Sequence, residues 1–238
     1  MVRSRTNSRR VPLILAGLVF AAVCGFALAS NLSEAGAARA KILGKTGNTP
    51  NPSCPGNCQV QARVTGFQKS VDGKRGIFRV KQTGHIVAWS VDLSRPNERE
   101  RNFFEDNLSS ADFGSRPAAR LSVIKKTDRQ QYKLTKQSPV VELKSSLGGS
   151  PIFTLTEPLR VRPGEVVALT VPTWLPNFAH ERVSRDNAWV GSRGSKKCEG
   201  EENLLEKSKP HQKVDSVRKY GCVYRGARLL YRAYFVPS

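Results

Sequence analysis

The stretch PLRVRPGEVVALTVP, residues 158–172, decides the fold. Two short apolar runs flank the sequence Pro-Gly-Glu at 163–165, and proline next to glycine favours a tight turn. The second run alternates with a period of two, so that one of its faces carries Val167, Leu169 and Val171. That period is typical of a β-strand with one buried face. The stretch therefore predicts two strands joined by a turn.

Similar apolar runs, separated by turn residues, recur on both sides of this stretch. They are QVQARVTGF, RGIFRV, HIVAWSVDL, ARLSVIKK, QYKL, PVVEL, PIFTL and ARLLYRAYFV. About nine or ten short strands in succession indicate one all-β sandwich or barrel rather than βαβ units. Val-Asp-Gly at 71–73 is a further predicted hairpin turn.

The order of these segments resembles that of exported jelly-roll-like β-sandwich domains. The resemblance is carried by GHIVAWSVDL, ARLSVIKK, YKLTKQSPVVEL, PLRVRPGEVVALTVP and the closing YGCVYRGARLLYRAYFVP. It implies an all-β, jelly-roll-like antiparallel β-sandwich with one or two short helices. Because its motifs are structural turns, it implies no functional residues.

Two segments interrupt the β pattern. NERERNFFEDNL, residues 97–108, predicts a short helix whose apolar side carries Phe103, Phe104 and Leu108. Residues 196–219 are highly charged and predict a long excursion between two strands, partly helical around 201–207.

The N-terminal segment is predicted to be a targeting signal. A basic start precedes 19 consecutive apolar residues, and Ala-Leu-Ala at 27–29 fits a cleavage site. An uncleaved anchor is the alternative, since such a run is also long enough to cross a bilayer. Residues 1–29 are therefore predicted as the signal, 30–58 as a flexible linker that includes the CPGNC turn, and 59–238 as the sandwich. Both alternatives predict a secreted or cell-surface domain.

Removing the signal removes Cys24 and leaves four cysteines, an even number that favours two disulfides in an exported protein. The pairing nearest in sequence is Cys54–Cys58 and Cys198–Cys222. No histidine lies near CPGNC and no DxDxDG loop occurs, so neither a zinc nor a calcium site is predicted.

The chain is strongly basic. The signal contributes four of the 39 basic residues and none of the 19 acidic ones, so 35 basic residues remain and the net charge is +16. This charge favours an anionic polysaccharide or cell-wall polymer as partner. The alternative is that it only aids solubility, since the basic residues are spread along the chain. Nucleic acid is not favoured, and the membrane is a partner only through an uncleaved N-terminus.

Alternation assigns the strand faces. It places His85, Val87, Trp89, Val91 and Leu93 on one buried face. In the last strand it places Leu229, Tyr231, Ala233 and Phe235 inside. The opposite face would then be an exposed ribbon of Arg228, Leu230, Arg232 and Tyr234.

Catalysis has little support in the sequence. HExxH, GxSxG, P-loop and GxGxxG motifs are absent, and no cofactor is predicted. A carboxylate pair for glycoside hydrolysis remains open, because such pairs meet in space rather than in sequence. The acids considered are Asp92, Glu142, Glu157, Glu165 and Asp186.

The segment VPTWLPNFAHERVSRDNAW, residues 171–189, is the predicted contact surface. Pro172 and Pro176 are expected to end the strand at Val171 and to display the aromatic residues that follow. The predicted ligand-binding residues are Trp174, Phe178, Arg182, Arg185 and Trp189, with Arg193, Lys196 and Lys197 around them. Aromatic rings bind sugar faces, and arginine binds hydroxyl or carboxylate groups. The alternative is that the aromatics close the open end of the sandwich.

The sequence therefore predicts a secreted, non-catalytic binding domain for a cell-surface glycan or another anionic polymer. A structural or protein-interaction domain of the cell envelope is the second possibility, and a glycan-active hydrolase is the third.

Overall fold

The computed structural model describes residues 40–56, 58–194, 198 and 212–238. Within these residues the chain has one α-helix, α1 (Glu98–Asn107), a 3-10 turn at Lys144–Ser146 and fifteen strands. The strands are β1 (Lys41–Leu43), β2 (Gln61–Val71), β3 (Lys74–Arg75), β4 (Gly84–Val91), β5 (Ala118–Asp128), β6 (Gln131–Gln137), β7 (Val141–Glu142), β8 (Ile152–Val161), β9 (Val166–Leu175), β10 (Phe178–Ala179), β11 (Ala188–Gly191), β12 (Val217–Lys219), β13 (Cys222–Arg225), β14 (Arg228–Leu229) and β15 (Tyr231–Pro237).

The strands form two main antiparallel sheets. The larger sheet has the order β12-β6-β5-β9-β2-β11-β13, with β3 paired to β2 and β7 paired to β5. The smaller sheet has the order β1-β15-β4-β8, and β10 pairs separately with β14. The prediction of an antiparallel all-β sandwich with a short helix is confirmed.

The main core lies between the two sheets. Trp89 and Phe235 of the smaller sheet belong to the same buried cluster as Leu121 and Leu169 of the larger one. Burying a side chain of the size of Leu or Phe stabilises a fold by roughly 1.5–3 kcal/mol, so this cluster holds the sheets together. The prediction that Trp89 is a core residue is confirmed.

The inward face of β4 changes part-way along the strand. Its register against β8 shifts between Ile86 and Ala88. Ile86 is fully buried, whereas His85 and Val87 are only partly buried. The prediction that His85 and Val87 share the face of Trp89 is wrong, because a β-bulge reverses the alternation at that point.

Strand β9 continues beyond its predicted end at Val171 and runs through Pro172 to Leu175. Pro172 and Thr173 face a single residue of β2, Arg63, whose φ is +45°. A proline is tolerated at such a bulge, since a bulged residue does not need to donate a hydrogen bond to the neighbouring strand. The predicted break of the strand by Pro172 is therefore corrected.

The ordered domain begins well before residue 59. Strand β1 pairs with β15 in the register Lys41 to Phe235, and Ser53 N donates a hydrogen bond to Phe178 O at 2.9 Å. Within the predicted linker of residues 30–58, the structure thus places residues 41–43 in the smaller sheet and bonds Ser53 to β10.

The same N-terminal segment covers part of the last strand. Arg228 donates hydrogen bonds to Asn48 O at 2.8 Å and to Thr46 Oγ1 at 2.6 Å. Arg228 and Leu230 are both buried, so the predicted exposed ribbon does not form at these two residues. The predicted inward face is confirmed for Leu229, Tyr231, Ala233 and Phe235.

The predicted helix at 97–108 is confirmed. Asn97 and Glu100 form a capping box, in which each side chain accepts a hydrogen bond from the backbone N–H of the other. Phe104 and Leu108 are buried one turn apart, but Phe103 is 52% exposed. Adjacent helical residues do not share a face, which explains why only one of the two phenylalanines packs inward. The helix predicted around 201–207 lies outside the described residues.

The hairpin turn and both disulfides agree with their predictions. Asp72 and Gly73 have φ values of +47° and +77°, as a two-residue turn of type I′ requires, and they join β2 to β3. Cys54–Cys58 and Cys198–Cys222 are the bonded pairs, with Cα separations of 4.4 and 5.1 Å.

Of the helices in the described ranges, none is long and apolar enough to cross a membrane. The predicted signal at 1–29 lies outside these ranges.

Candidate functional site

The predicted ligand site centres on Trp174, and the structure buries this side chain completely. The ring packs against Phe104 of α1 with 5.1 Å between centroids, and Nε1 donates a 2.7 Å hydrogen bond to Ser115 O. Leu108 and Leu147 belong to the same cluster. Because the ring is covered and its polar atom is bonded, Trp174 packs under the helix and offers no face to a ligand. Of the two alternatives, the geometry favours closure of the core.

Phe178 and Trp189 are also buried, each with 5% exposure. Trp189 stacks on Tyr224 at 4.2 Å between centroids and contacts Phe178 at 5.4 Å. Both line a cavity of about 710 Å³ near the start of β2. They form a wall of that cavity and do not project from the surface.

The predicted arginines differ from Trp174 in their exposure and place in the fold. Arg182 and Arg185 are exposed in the connection between β10 and β11, whereas Trp174 lies under α1. Arg193 Nη2 donates a hydrogen bond to Ala62 O at 2.6 Å, which ties this side chain to β2. The structure therefore does not assemble the five predicted residues into one site. Lys196 and Lys197 lie outside the described residues.

A different region concentrates the positive charge. A cleft of about 470 Å³ lies between β1, β3 and the loop that leads into β4. Among the described residues, its lining includes six exposed basic side chains and no aspartate or glutamate. The six are Lys41, Lys45, Lys74, Arg75, Arg79 and Lys81. We call this feature the basic cleft.

A backbone contact at Gly44 holds the two walls of the basic cleft together. Gly44 N donates a 3.1 Å hydrogen bond to Ile77 O. Gly44 has a φ of +86°, and a Cβ atom at this position would overlap the ring of Phe78. Glycine is therefore required here both by the backbone conformation and by the close approach of the ring.

The basic cleft has an apolar support. Phe78 is buried beneath it and stacks on Tyr231, with 4.1 Å between ring centroids and 7° between ring planes. The Tyr231 hydroxyl donates a 3.0 Å hydrogen bond to Val167 O. Phe235 also lines the cleft. The exposed basic side chains of the cleft thus lie above a buried, stacked pair of aromatic rings, which we call the aromatic base.

The positive lining continues into a neighbouring hollow of about 260 Å³. The two hollows share Gly76 and Arg79, and the second adds Lys69, Lys126 and Tyr132, again with no carboxylate among the lining residues that the structure describes. Burial raises the pKa of Tyr132, while the positive charge of Arg79 acts to lower it. Because Gly76 and Arg79 line both hollows, the two hollows adjoin and form one basic surface.

Among the described residues, the eight basic side chains of this surface have no acidic partner. None of the five salt bridges in the described part of the chain involves any of them. Lys41 Nζ lies 3.5 Å from Gln82 Oε1, a neutral partner. Unneutralised charges on cleft walls create a positive potential that attracts anions.

Three of the acids considered for catalysis are engaged in contacts with neighbouring groups. Asp92 binds Arg232 at 3.1 Å, and Glu142 binds Arg116 at 3.1 Å. Glu165 is buried, and its carboxylate accepts a 2.8 Å hydrogen bond from the backbone N–H of residue 162, as expected of a turn residue. Asp186 accepts a hydrogen bond from Ser184 within its own loop, and Glu157 is exposed.

The basic cleft had a local signal in the sequence. The segment KSVDGKRGIFRVK, residues 69–81, contains five basic residues and one acid. Averaging the charge over the whole chain hides this concentration, whereas a window of this length reveals it. Lys41 and Lys45 have no such signal, because only the pairing of β1 with β15 brings them to the cleft.

Comparison of the chain with models of protein families, with curated proteins and with solved structures finds no match.

Proposed function

We propose that this chain is an exported, non-catalytic binding protein whose basic cleft holds an acidic polysaccharide of a cell surface. The supporting observation is the lining of the cleft and its neighbouring hollow. Eight lysine and arginine side chains run along the two hollows, and no carboxylate lies among the described lining residues. Export agrees with the two disulfides, since such bonds persist in oxidising compartments.

The extent of the lining and its number of charges favour a polymer over a small anion. A single carboxylate or sulfate needs two or three donors, whereas eight charges extend over two joined hollows. Exposed lysine and arginine side chains can adjust to a repeating charge without a fixed geometry. A linear polyanion therefore uses the whole surface.

The aromatic residues favour a polysaccharide over nucleic acid. Single-stranded nucleic acid is bound by exposed rings on which bases stack. Phe78 and Phe235 are buried, and Tyr132 is half-buried against Phe67 and Tyr220. The described lining therefore offers charge without a stacking surface.

Heparin titration at increasing salt tests this function. The affinity should fall steeply with salt, because each contact with a polyanion releases counterions. Neutral dextran of similar length should not bind. The variant Lys74→Glu/Arg75→Glu should weaken heparin binding about tenfold or more.

The matched control is Lys213→Glu/Lys219→Glu, which changes the net charge by the same amount at exposed positions outside the cleft. We expect this control to weaken binding less than about threefold. Equal losses in the two variants would show that net charge alone attracts heparin and would refute a site in the cleft. Equal affinity for anionic vesicles and for heparin would instead point to a membrane surface.

A further inference from the structure

We infer that the cavity lined by Trp189 is a second binding site, which takes a small amphipathic carboxylate with a chain-like or ring-containing apolar body. The cavity lies between the start of β2, helix α1, β11 and β13. Its volume of about 710 Å³ is within the range of natural ligand pockets, which is about 300–1,000 Å³. It shares no lining residue with the basic cleft or the neighbouring hollow.

The walls of this cavity are largely apolar. They include Val60, Phe104, Leu108, Phe178, Trp189 and Val223. A sugar would have to bury several hydroxyl groups against such walls, and each unpaired buried hydroxyl is unfavourable. A hydrocarbon or aromatic body has no hydrogen bonds to lose there, and the transfer of its apolar surface out of water favours binding. The walls therefore favour an apolar ligand over a glycan.

The charged side chains among the described lining residues have the same sign. Arg193 and Arg225 are both positive, and no aspartate or glutamate occurs among those residues. Arg225 is exposed, and Arg193 is partly buried beside β2. An apolar ligand that carries one anionic group can therefore place its body against the aromatic wall and its charge near the two guanidinium groups.

Two buried nitrogen atoms add to the positive character of this wall. Gln61 Nε2 and Arg193 Nε are each shielded from solvent and have no hydrogen-bond partner in the described part of the chain. A Cβ atom added to Gly66 would lie 3.0 Å from Gln61 Nε2 and 2.9 Å from Trp189 Cζ3, so the amide packs beside the indole ring. Unpaired N–H dipoles behind the lining favour a negative charge in front of it.

Tryptophan fluorescence provides a located readout with dodecanoate as the probe. Trp189 lines the cavity, whereas Trp89 packs on Phe153 and Trp174 packs on Phe104. Dodecanoate below its micelle concentration should change the emission and should give a saturable isotherm by calorimetry. Trp189→Phe should abolish most of the emission change while binding by calorimetry persists. Because Trp174 packs on the lining residue Phe104, a small residual change is expected in Trp189→Phe, and an emission change of undiminished size would overturn the assignment.

Charge selectivity is tested with dodecanol and with a matched pair of valine variants. Val223, on strand β13, lines the cavity and is 37% exposed; Val217, on strand β12, is 48% exposed and lies outside it. Val223→Glu should weaken dodecanoate binding about tenfold or more by placing a like charge in the cavity, whereas Val217→Glu should leave it within about twofold.

The site would be disproved by equal affinities for dodecanoate and dodecanol, or by equal effects of the two valine variants. Thermal melting of each variant confirms that it is folded. Heparin titration separates this site from the proposed function. Val223→Glu should leave heparin binding intact, and Lys74→Glu/Arg75→Glu should leave dodecanoate binding intact. Loss of one activity without the other therefore identifies which site is wrong.

Discussion

The buried cluster around Trp174 and the basic cleft differ in the exposure and the pairing of their large side chains. Trp174 is fully covered, and its single polar atom has a partner at 2.7 Å. The lysines and arginines of the cleft are exposed and form no salt bridge with the described residues. Satisfied, buried groups contribute to stability, whereas unpaired surface charges contribute to recognition. A substitution at one region should therefore leave the property of the other unchanged.

Trp174→Ala should produce the largest effect on stability. It removes a buried indole, leaves a cavity under α1 and deprives Ser115 O of its donor, so we expect a loss of about 3–5 kcal/mol in the free energy of unfolding. Urea denaturation measures the loss. Heparin binding by the folded protein should be unchanged.

Phe103→Ala is the matched control, because Phe103 lies on the same helix but is 52% exposed. Its cost should remain below about 1 kcal/mol. Similar losses for the two variants, or loss of heparin binding in Trp174→Ala, would remove the distinction between the two regions.

The sequence predicts the burial of Trp174 poorly, because this burial depends on the pairing of β9 with a strand that is distant in sequence. Pro172 is a reasonable signal for the end of a strand, and the pattern around it gives no reason to expect otherwise. The strand continues because Arg63 of β2 adopts a φ of +45° and forms a bulge opposite Pro172. Bulges are set by the pairing of two strands, so alternation along one strand cannot reveal them. The same reason explains the error at Val87.

Features that depend on near neighbours are predictable. Asp72 and Gly73 form their turn through their own backbone preferences. Asn97 caps α1 with a partner three residues away. The disulfides join the cysteines that are closest in sequence. The basic cleft is intermediate in predictability. Lys74 and its basic neighbours are close together in sequence, whereas Lys41 reaches the cleft only because β1 pairs with β15 at the other end of the chain.

Gly44→Ala should produce an intermediate effect and tests whether the cleft depends on its aromatic base. Alanine is strained at a φ of +86°, and its Cβ atom would overlap the Phe78 ring. We expect a loss of about 1–3 kcal/mol by thermal or urea denaturation. Heparin binding should also weaken, because the contact between Gly44 N and Ile77 O joins the walls of the cleft.

Gly47→Ala is the control for this variant, since no atom lies within 4 Å of a Cβ added at Gly47. It should change stability by less than about 0.5 kcal/mol. If Gly44→Ala is destabilised yet binds heparin with full affinity, the geometry of the walls is irrelevant to binding and charge alone determines it.

Tyr231→Phe should produce the smallest effect at neutral pH, about 1 kcal/mol, because it removes one hydrogen bond to Val167 O beneath the basic cleft. Burial raises the pKa of Tyr231 well above its ordinary value of about 10. Above pH 10 the unfolded chain therefore loses this proton while the folded chain keeps it, so the contribution of Tyr231 to stability falls as the pH rises from the unfolded pKa toward the folded one. Phenylalanine has no proton to lose, so the difference in the free energy of unfolding between the two proteins should narrow in urea denaturation above pH 10.

Tyr234→Phe, half-buried on the same strand, is the control. If the difference in the free energy of unfolding between the original protein and Tyr231→Phe stays constant or widens with pH, the hydroxyl under the cleft is accessible to water. The cleft would then lack the buried aromatic base that distinguishes it from an ordinary charged surface.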